Sequence, residues 1–149
     1  MCYMEKAYYK SALGNLRVTI KNQQVTRIFF VDKIQGNSST PSPLMQKVIE
    51  QINEFFQVQR WEFSFPIRLK GTDFQLKIWK LLSNIPYGTS LAYAKVAQVY
   101  GDAKNPILLV VPCHRMIGSD GSLVGYSGGI ETKRQLLELE GFPKQFNVH

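Results

Sequence analysis

With 149 residues, 44 % of them hydrophobic, the chain can bury a core in one domain or two small ones without a disulfide or metal staple. Its net charge of +7 fits a polyanionic partner, although the Lys and Arg residues are scattered rather than clustered. The two cysteines, Cys2 and Cys113, lie too far apart for a disulfide framework, Met1 to Glu5 lacks a secretory pattern, and no apolar run approaches the ~20 residues of a membrane span, so a soluble cytoplasmic protein without a membrane partner is expected.

Ala7 to Lys10 is a short strand candidate, followed by turn chemistry over Ser11 to Asn15. Leu16, Val18 and Ile20 alternate with polar residues as in a half-buried strand. After the turn at Asn22-Gln23-Gln24, the run Val25 to Val31 returns as a hairpin or meander, and Asp32 to Thr40 reads as a loop. Ser42-Pro43 has the form of a helix N-cap with proline in the first turn, and Leu44, Val48, Ile52, Phe55 and Phe56 continue it as an amphipathic helix. Trp61, Phe63 and Phe65 alternate up to Pro66 as an edge strand or extended connector, and the aromatics are expected in the core. Residues 1–70 thus form a small α+β unit with no catalytic constellation.

Residues 71–149 form the second unit. Thr72-Asp73-Phe74-Gln75 has the spacing of a capping box, with Phe74, Ile78, Leu81 and Leu82 as a helical stripe. Turn residues from Ile85 to Thr89 break that helix, and a second one is expected from near Ser90, with Tyr93, Val96, Ala97 and Tyr100 on one face. Two such helices could open a helix-turn-helix. Gly125 to Gly129 is a small-residue loop, and Glu131 to Glu140 a helix with Leu136, Leu137 and Leu139 buried, capped by Gly141.

The chemistry centres on Val110-Val111-Pro112-Cys113-His114-Arg115. Ile107 to Val111 reads as a buried strand ending at the proline, which puts Cys113 at a strand end. A cysteine with a reference pKa near 8.5 is only about 3 % thiolate at neutral pH, so it needs help to act as a nucleophile. His114 is the available base, but neighbours on an extended backbone point apart, so contact needs a turn or a bridging water. A cysteine closing an apolar strand is otherwise a small buried hydrophobe. Too few cysteines and histidines are present for a zinc site, and no cofactor is implied.

Asn105-Pro106, Val111-Pro112-Cys113-His114-Arg115, Tyr126-Ser127-Gly128-Gly129 and Glu140-Gly141, together with Gly71 to Gln75, Trp79 and Ile85-Pro86-Tyr87-Gly88, make the chain resemble the 6-O-alkylguanine-DNA alkyltransferases, also called methylated-DNA-protein-cysteine methyltransferases. The resemblance spans nearly the whole chain. It implies a ribonuclease-H-like amino-terminal domain (1–70) and a mainly helical domain (71–149) with a winged helix-turn-helix-like unit. It also implies a monomer that takes an alkyl group, once and irreversibly, from 6-O-alkylguanine, with 4-O-alkylthymine a further possible substrate, in double-stranded DNA. On this resemblance Cys113 is the nucleophile, His114 its base through a water, Glu140 the orienting carboxylate and Asn105 the residue holding the loop beside the sulfur. Tyr93 and Ser127 would donate to the departing base, and Met116 and Tyr126 would line the substrate site. Arg115 is assigned to an internal ion pair.

In one place the chain departs from that family. The family's recognition helix, carrying an arginine that fills the place of the flipped base, stands where this chain has only Asp102, Ala103 and Lys104 between Gly101 and Asn105. Excising a whole helix with both flanks kept in register is disfavoured, so a segment omitted from the sequence is preferred over a true deletion. A true deletion would favour the alternative function, a non-enzymatic sensor of alkylated DNA, although such relatives lack the cysteine.

Overall fold

The computed structural model describes residues 4–35, 40–92, 105–117 and 129–141. The chain divides into two compact units, Met1–Leu69 and Lys70–His149.

In the first unit β1 (Met4–Ser11), β2 (Gly14–Lys21) and β3 (Gln24–Val31) form an antiparallel meander in the order β1-β2-β3. All three run longer than the apolar alternation marks, because their backbone pairing continues to the turns. Asn22 and Gln23 alone make the β2–β3 turn, both at positive φ (52° and 63°), the geometry that matches the twist of a two-residue hairpin. Leu16, Val18 and Ile20 are buried as the alternation requires. α1 (Pro43–Phe56) starts where Ser42 Oγ accepts from the Met45 N–H at 3.2 Å. The Glu5 carboxylate of β1 then accepts from both the N–H (2.8 Å) and the hydroxyl (2.6 Å) of Ser42, tying helix to sheet. Met45, Val48, Ile52 and Phe55 form the buried stripe, each contributing ~1.5–3 kcal/mol of burial; Leu44 is only half-buried.

The segment Trp61 to Pro66 is a connector rather than a strand. Only Ile67 bridges to Val25, whose N–H donates to Pro66 O and whose carbonyl accepts from the Arg68 N–H, both at 2.9 Å. Buried Gln51 holds Ser64 by two hydrogen bonds instead. Phe65 is buried, but Trp61 is 58 % exposed, against the expectation that the aromatics are core.

In the second unit α2 (Asp73–Ser83) begins at the expected capping box: Thr72 Oγ1 accepts from the Gln75 N–H and Gln75 Oε1 from the Thr72 N–H. Its buried face is Trp79 and Leu82, while Phe74 is exposed, because the first turn projects beyond what the helix packs on. Leu91–Ala92 (β4) pairs in parallel with Met116–Ile117 (β5), so residues 91–92 are extended where a helix start near Ser90 was expected. The remainder of that expected helix, 93–104, and most of the 125–129 loop lie outside the described residues. The last helix, α3 (Ile130–Leu139), ends with Glu140 as C-cap and Gly141 at φ 81°, a left-handed stop that favours glycine. Leu136 and Leu137 are buried and Leu139 half-buried. No helix among the described residues is long and apolar enough to cross a membrane.

Candidate active site

Asn105 shapes the approach to the cysteine. Its Oδ1 accepts from the Ile107 N–H at 2.9 Å and its Nδ2 donates to the Val111 carbonyl at 2.6 Å, so one amide bridges both ends of the apolar run. Val111 N–H donates back to Ile107 O at 3.0 Å, and Leu109 adopts φ 74°. Ile107 to Val111 is therefore a tight buried turn, not the expected strand. A side-chain amide supplies the hydrogen bonds that a neighbouring strand would have supplied, and hydrophobicity is the same in either case. The left-handed Leu109 costs about 1–2 kcal/mol, offset by its burial among Ile107, Leu108 and Val111.

Beyond Pro112 the backbone winds into a single 3-10 turn, Cys113–Arg115, closed by the Arg115 N–H donating to Pro112 O at 3.0 Å. Three residues per turn spread successive side chains about 120° apart, so three consecutive side chains enter one interior. Cys113, His114 and Arg115 are all buried. This turn replaces the strand end expected for Cys113, and it supplies the departure from extended backbone that bringing the thiol and imidazole together requires.

Asn105 Nδ2 also donates to Cys113 Sγ at 3.1 Å, a contact that favours sulfur carrying negative charge. On the other side of the turn, His114 Nε2 and Glu140 Oε2 are 2.6 Å apart. Arg115 grips the same carboxylate with two donors, Nε to Oε1 at 2.7 Å and Nη2 to Oε2 at 2.8 Å, while Nη1 donates to Ile85 O at 2.8 Å. The Tyr87 ring lies under the guanidinium at 5.5 Å. The Gly88 N–H donates to Glu140 Oε1 at 3.4 Å, and a Cβ at Gly88, whose φ is 76°, would sit 3.2 Å from the Glu140 carbonyl.

Burial by itself would raise the Glu140 pKa, but hydrogen bonds from His114 and Arg115 and their charges outweigh it and hold the carboxyl at about 2. Glu140 is thus an anion that only accepts, which places the imidazole proton on Nε2 and leaves the Nδ1 lone pair open. Nδ1 is buried and has no hydrogen-bond partner among the described residues. Burial, first, and the Arg115 and Lys133 charges push the His114 pKa down, against the opposing pull of Glu140. The imidazole therefore rests neutral, able to take a proton.

The structure brings together Cys113, His114, Glu140 and Asn105. Arg115, assigned to an internal ion pair, makes one with Glu140. Met116 is fully buried in β5. Tyr93, Tyr126 and Ser127 lie outside the described residues. Sequence reasoning missed Lys133, which is fully buried on α3 with its pKa brought down to about 8 by burial, against the charge of Cys113, which raises it. The spacing 133, 136, 137, 140, one face of a helix, was the pattern that could have found it.

Two family models match the chain: "6-O-methylguanine DNA methyltransferase, ribonuclease-like domain" over residues 4–69 and "6-O-methylguanine DNA methyltransferase, DNA binding domain" over residues 73–142. The methylated-DNA–protein-cysteine methyltransferase of Mycobacterium bovis is 38 % identical over 146 residues, covering 90 % of this chain and 83 % of the relative. The constitutive methylated-DNA–protein-cysteine methyltransferase of Bacillus subtilis is 34 % identical, covering 89 % of this chain and 94 % of its own. Among solved structures, the Mycobacterium tuberculosis O6-methylguanine methyltransferase superposes with a TM-score of 0.78 at 35 % identity, covering 96 % of this chain and 97 % of that one. The Mycobacterium tuberculosis OGT in complex with DNA gives 0.76 at 35 % identity, over 91 % of each chain.

Proposed function

This chain belongs to the 6-O-methylguanine DNA methyltransferase family, and we propose that it repairs DNA by moving the alkyl group of 6-O-alkylguanine permanently onto Cys113 Sγ. The observation that carries this reading is the single buried cluster in which Asn105 donates to the sulfur while Arg115 and Glu140 fix the neighbouring imidazole.

The thiol proton passes through one bridging water to His114 Nδ1, and the imidazolium so formed is stabilised by Glu140. Sγ then attacks the alkyl carbon: the S–C bond forms as the C–O bond breaks, and its electron pair stays on the guanine oxygen. That anion takes the phenolic proton of Tyr93, with Ser127 donating to the same oxygen. Met116, buried directly after the turn, and Tyr126 would wall the substrate site. Full ionisation of the thiol is worth at most about thirtyfold, so most of the acceleration comes from holding the alkyl carbon in line with sulfur. A base inside the duplex cannot reach Cys113, so the nucleotide is extruded at a cost of a few kcal/mol.

On this reading residues 71–149 are the catalytic and DNA-binding domain, with a winged helix-turn-helix-like unit, and residues 1–70 a ribonuclease-H-like domain. The protein acts as a cytoplasmic monomer. Since 90 % of 149 residues is fewer than the 146 aligned with the M. bovis relative, that relative fills positions this chain does not, which supports a real shortening; the junction between Gly101 and Asn105 is where the family pattern is short. An intact mass of 17.0 kDa is then expected, and a clearly larger one would restore the helix.

The test is stoichiometry. Incubation with excess duplex oligonucleotide containing 6-O-methylguanine should stop after one methyl group per chain; continued turnover, or tight binding without any transfer, would contradict the proposal.

A further inference from the structure

We infer that Lys133 is a positioning residue whose ammonium is the built-in counter-charge of the Cys113 thiolate, an inference that rests on the alkyl-transfer reading above. Lys133 lies in the first turns of α3, 0 % exposed, on the inner face shared by Leu136, Leu137 and Glu140. That face packs on the 3-10 turn that carries Cys113 and His114. A lysine in this setting ordinarily threads its ammonium out to water, and an ammonium kept inside is costly without compensating charge.

The carboxylates on and beside α3 are committed elsewhere. Glu131 and Glu138 pair with Arg134 on the outer face, and Glu140 is held by Arg115 and His114. The groups that face the Lys133 charge are Cys113, His114 and Arg115 from the turn and Glu140 from the helix end. Of these, Cys113 is the one whose charge favours the ammonium, and His114 is the one whose protonation the ammonium opposes. Both effects serve the reaction. The ammonium favours sulfur in its charged form, and it keeps the imidazole neutral and ready to take the thiol proton. Ammonium and thiol therefore titrate as a coupled pair. Once sulfur has become a neutral thioether, the counter-charge is gone and Lys133 releases its proton more easily.

The test is a thiolate titration by ultraviolet absorbance on Lys133→Met, which keeps the apolar stem and removes the charge, with Cys113→Ser as the blank for background. The Cys113 midpoint should rise by about one pH unit, leaving roughly tenfold less thiolate at neutral pH. Methyl transfer from free 6-O-methylguanine should fall by a similar factor at neutral pH, and the deficit should close as pH passes the new midpoint. An unmoved midpoint, or a deficit equal at every pH, would overturn the inference. Coupling is reciprocal, so in Cys113→Ser the Lys133 ammonium, followed by side-chain nitrogen resonance, should titrate at lower pH than in the unaltered protein, and an unchanged value would overturn it equally even if Lys133→Met failed to fold. The thiolate titration needs no substrate. A moved midpoint in a protein that transfers no methyl group would sink the function and leave the charge pairing standing.

Discussion

The two units bury polar groups for different ends. In the sheet unit the buried polar side chains serve the backbone: Glu5 accepts from Ser42, and Gln51 holds Ser64, with apolar burial along β2 and α1 carrying the stability. In the second unit Asn105, His114, Arg115, Lys133 and Glu140 are all buried, four of them ionisable. Such a cluster is a poor way to stabilise a fold, since well-packed apolar residues do as well or better. What it provides is a thiol with a donor, a neutral base and a fixed tautomer, all in place before substrate arrives.

Removing a carboxylate from each unit separates the two cases most sharply. Glu140→Gln leaves Arg115 buried without its counter-ion, so thermal unfolding should show a loss of about 3–5 kcal/mol. Methyl-transfer rates in the surviving folded fraction should drop by roughly 100-fold, as the imidazole loses its orienter. Glu5→Gln keeps one acceptor for Ser42 and should cost only about 1 kcal/mol. Equal losses from the two variants would erase the contrast.

Phe55→Ala attacks the other kind of interior. Its cavity should cost the sheet unit about 3–5 kcal/mol in denaturant titration. Initial transfer rates by folded protein should stay within roughly twofold, because distant sites behave additively. A selective loss of transfer would show that the sheet unit contributes to chemistry.

Acid should find the second unit first, with the smallest effect of the three. The pKa of His114 is lowered in the folded protein, so the unfolded chain takes up a proton the folded one refuses, and stability begins to fall as pH drops below about 6.5. Glu140 is depressed to about 2, so its stabilisation is complete above the ordinary carboxyl range near 4.5 and is lost as pH falls from there toward 2. A melting temperature flat from pH 7 to 4 would contradict both directions.

Elements set by local rules were legible in the sequence. The Ser42-Pro43 cap, the Thr72–Gln75 capping box, the alternation of β2 and the stop at Gly141 each depend on residues within one turn or one strand. Ile107 to Val111 was not, because its hydrogen bonds come from one Asn105 side chain and its composition suits a strand equally. Trp61 and Phe74 are apolar yet exposed, a distinction that only tertiary packing draws. At the site, resemblance picked out Cys113, His114, Glu140 and Asn105, whereas spacing alone could not pair residues 26 positions apart such as His114 and Glu140. Lys133 escaped because a lysine is read as surface, although its place between the leucines of α3 marked it as interior.

Peptide mapping by tandem mass spectrometry after reaction with an oligonucleotide carrying isotopically labelled 6-O-methylguanine addresses the sulfur itself. The labelled methyl group should reside on Cys113, in the peptide bearing Pro112 and His114, and nowhere else. Label on Cys2 or on a carboxylate, with Cys113 unmodified in protein that had repaired its substrate, would contradict the account.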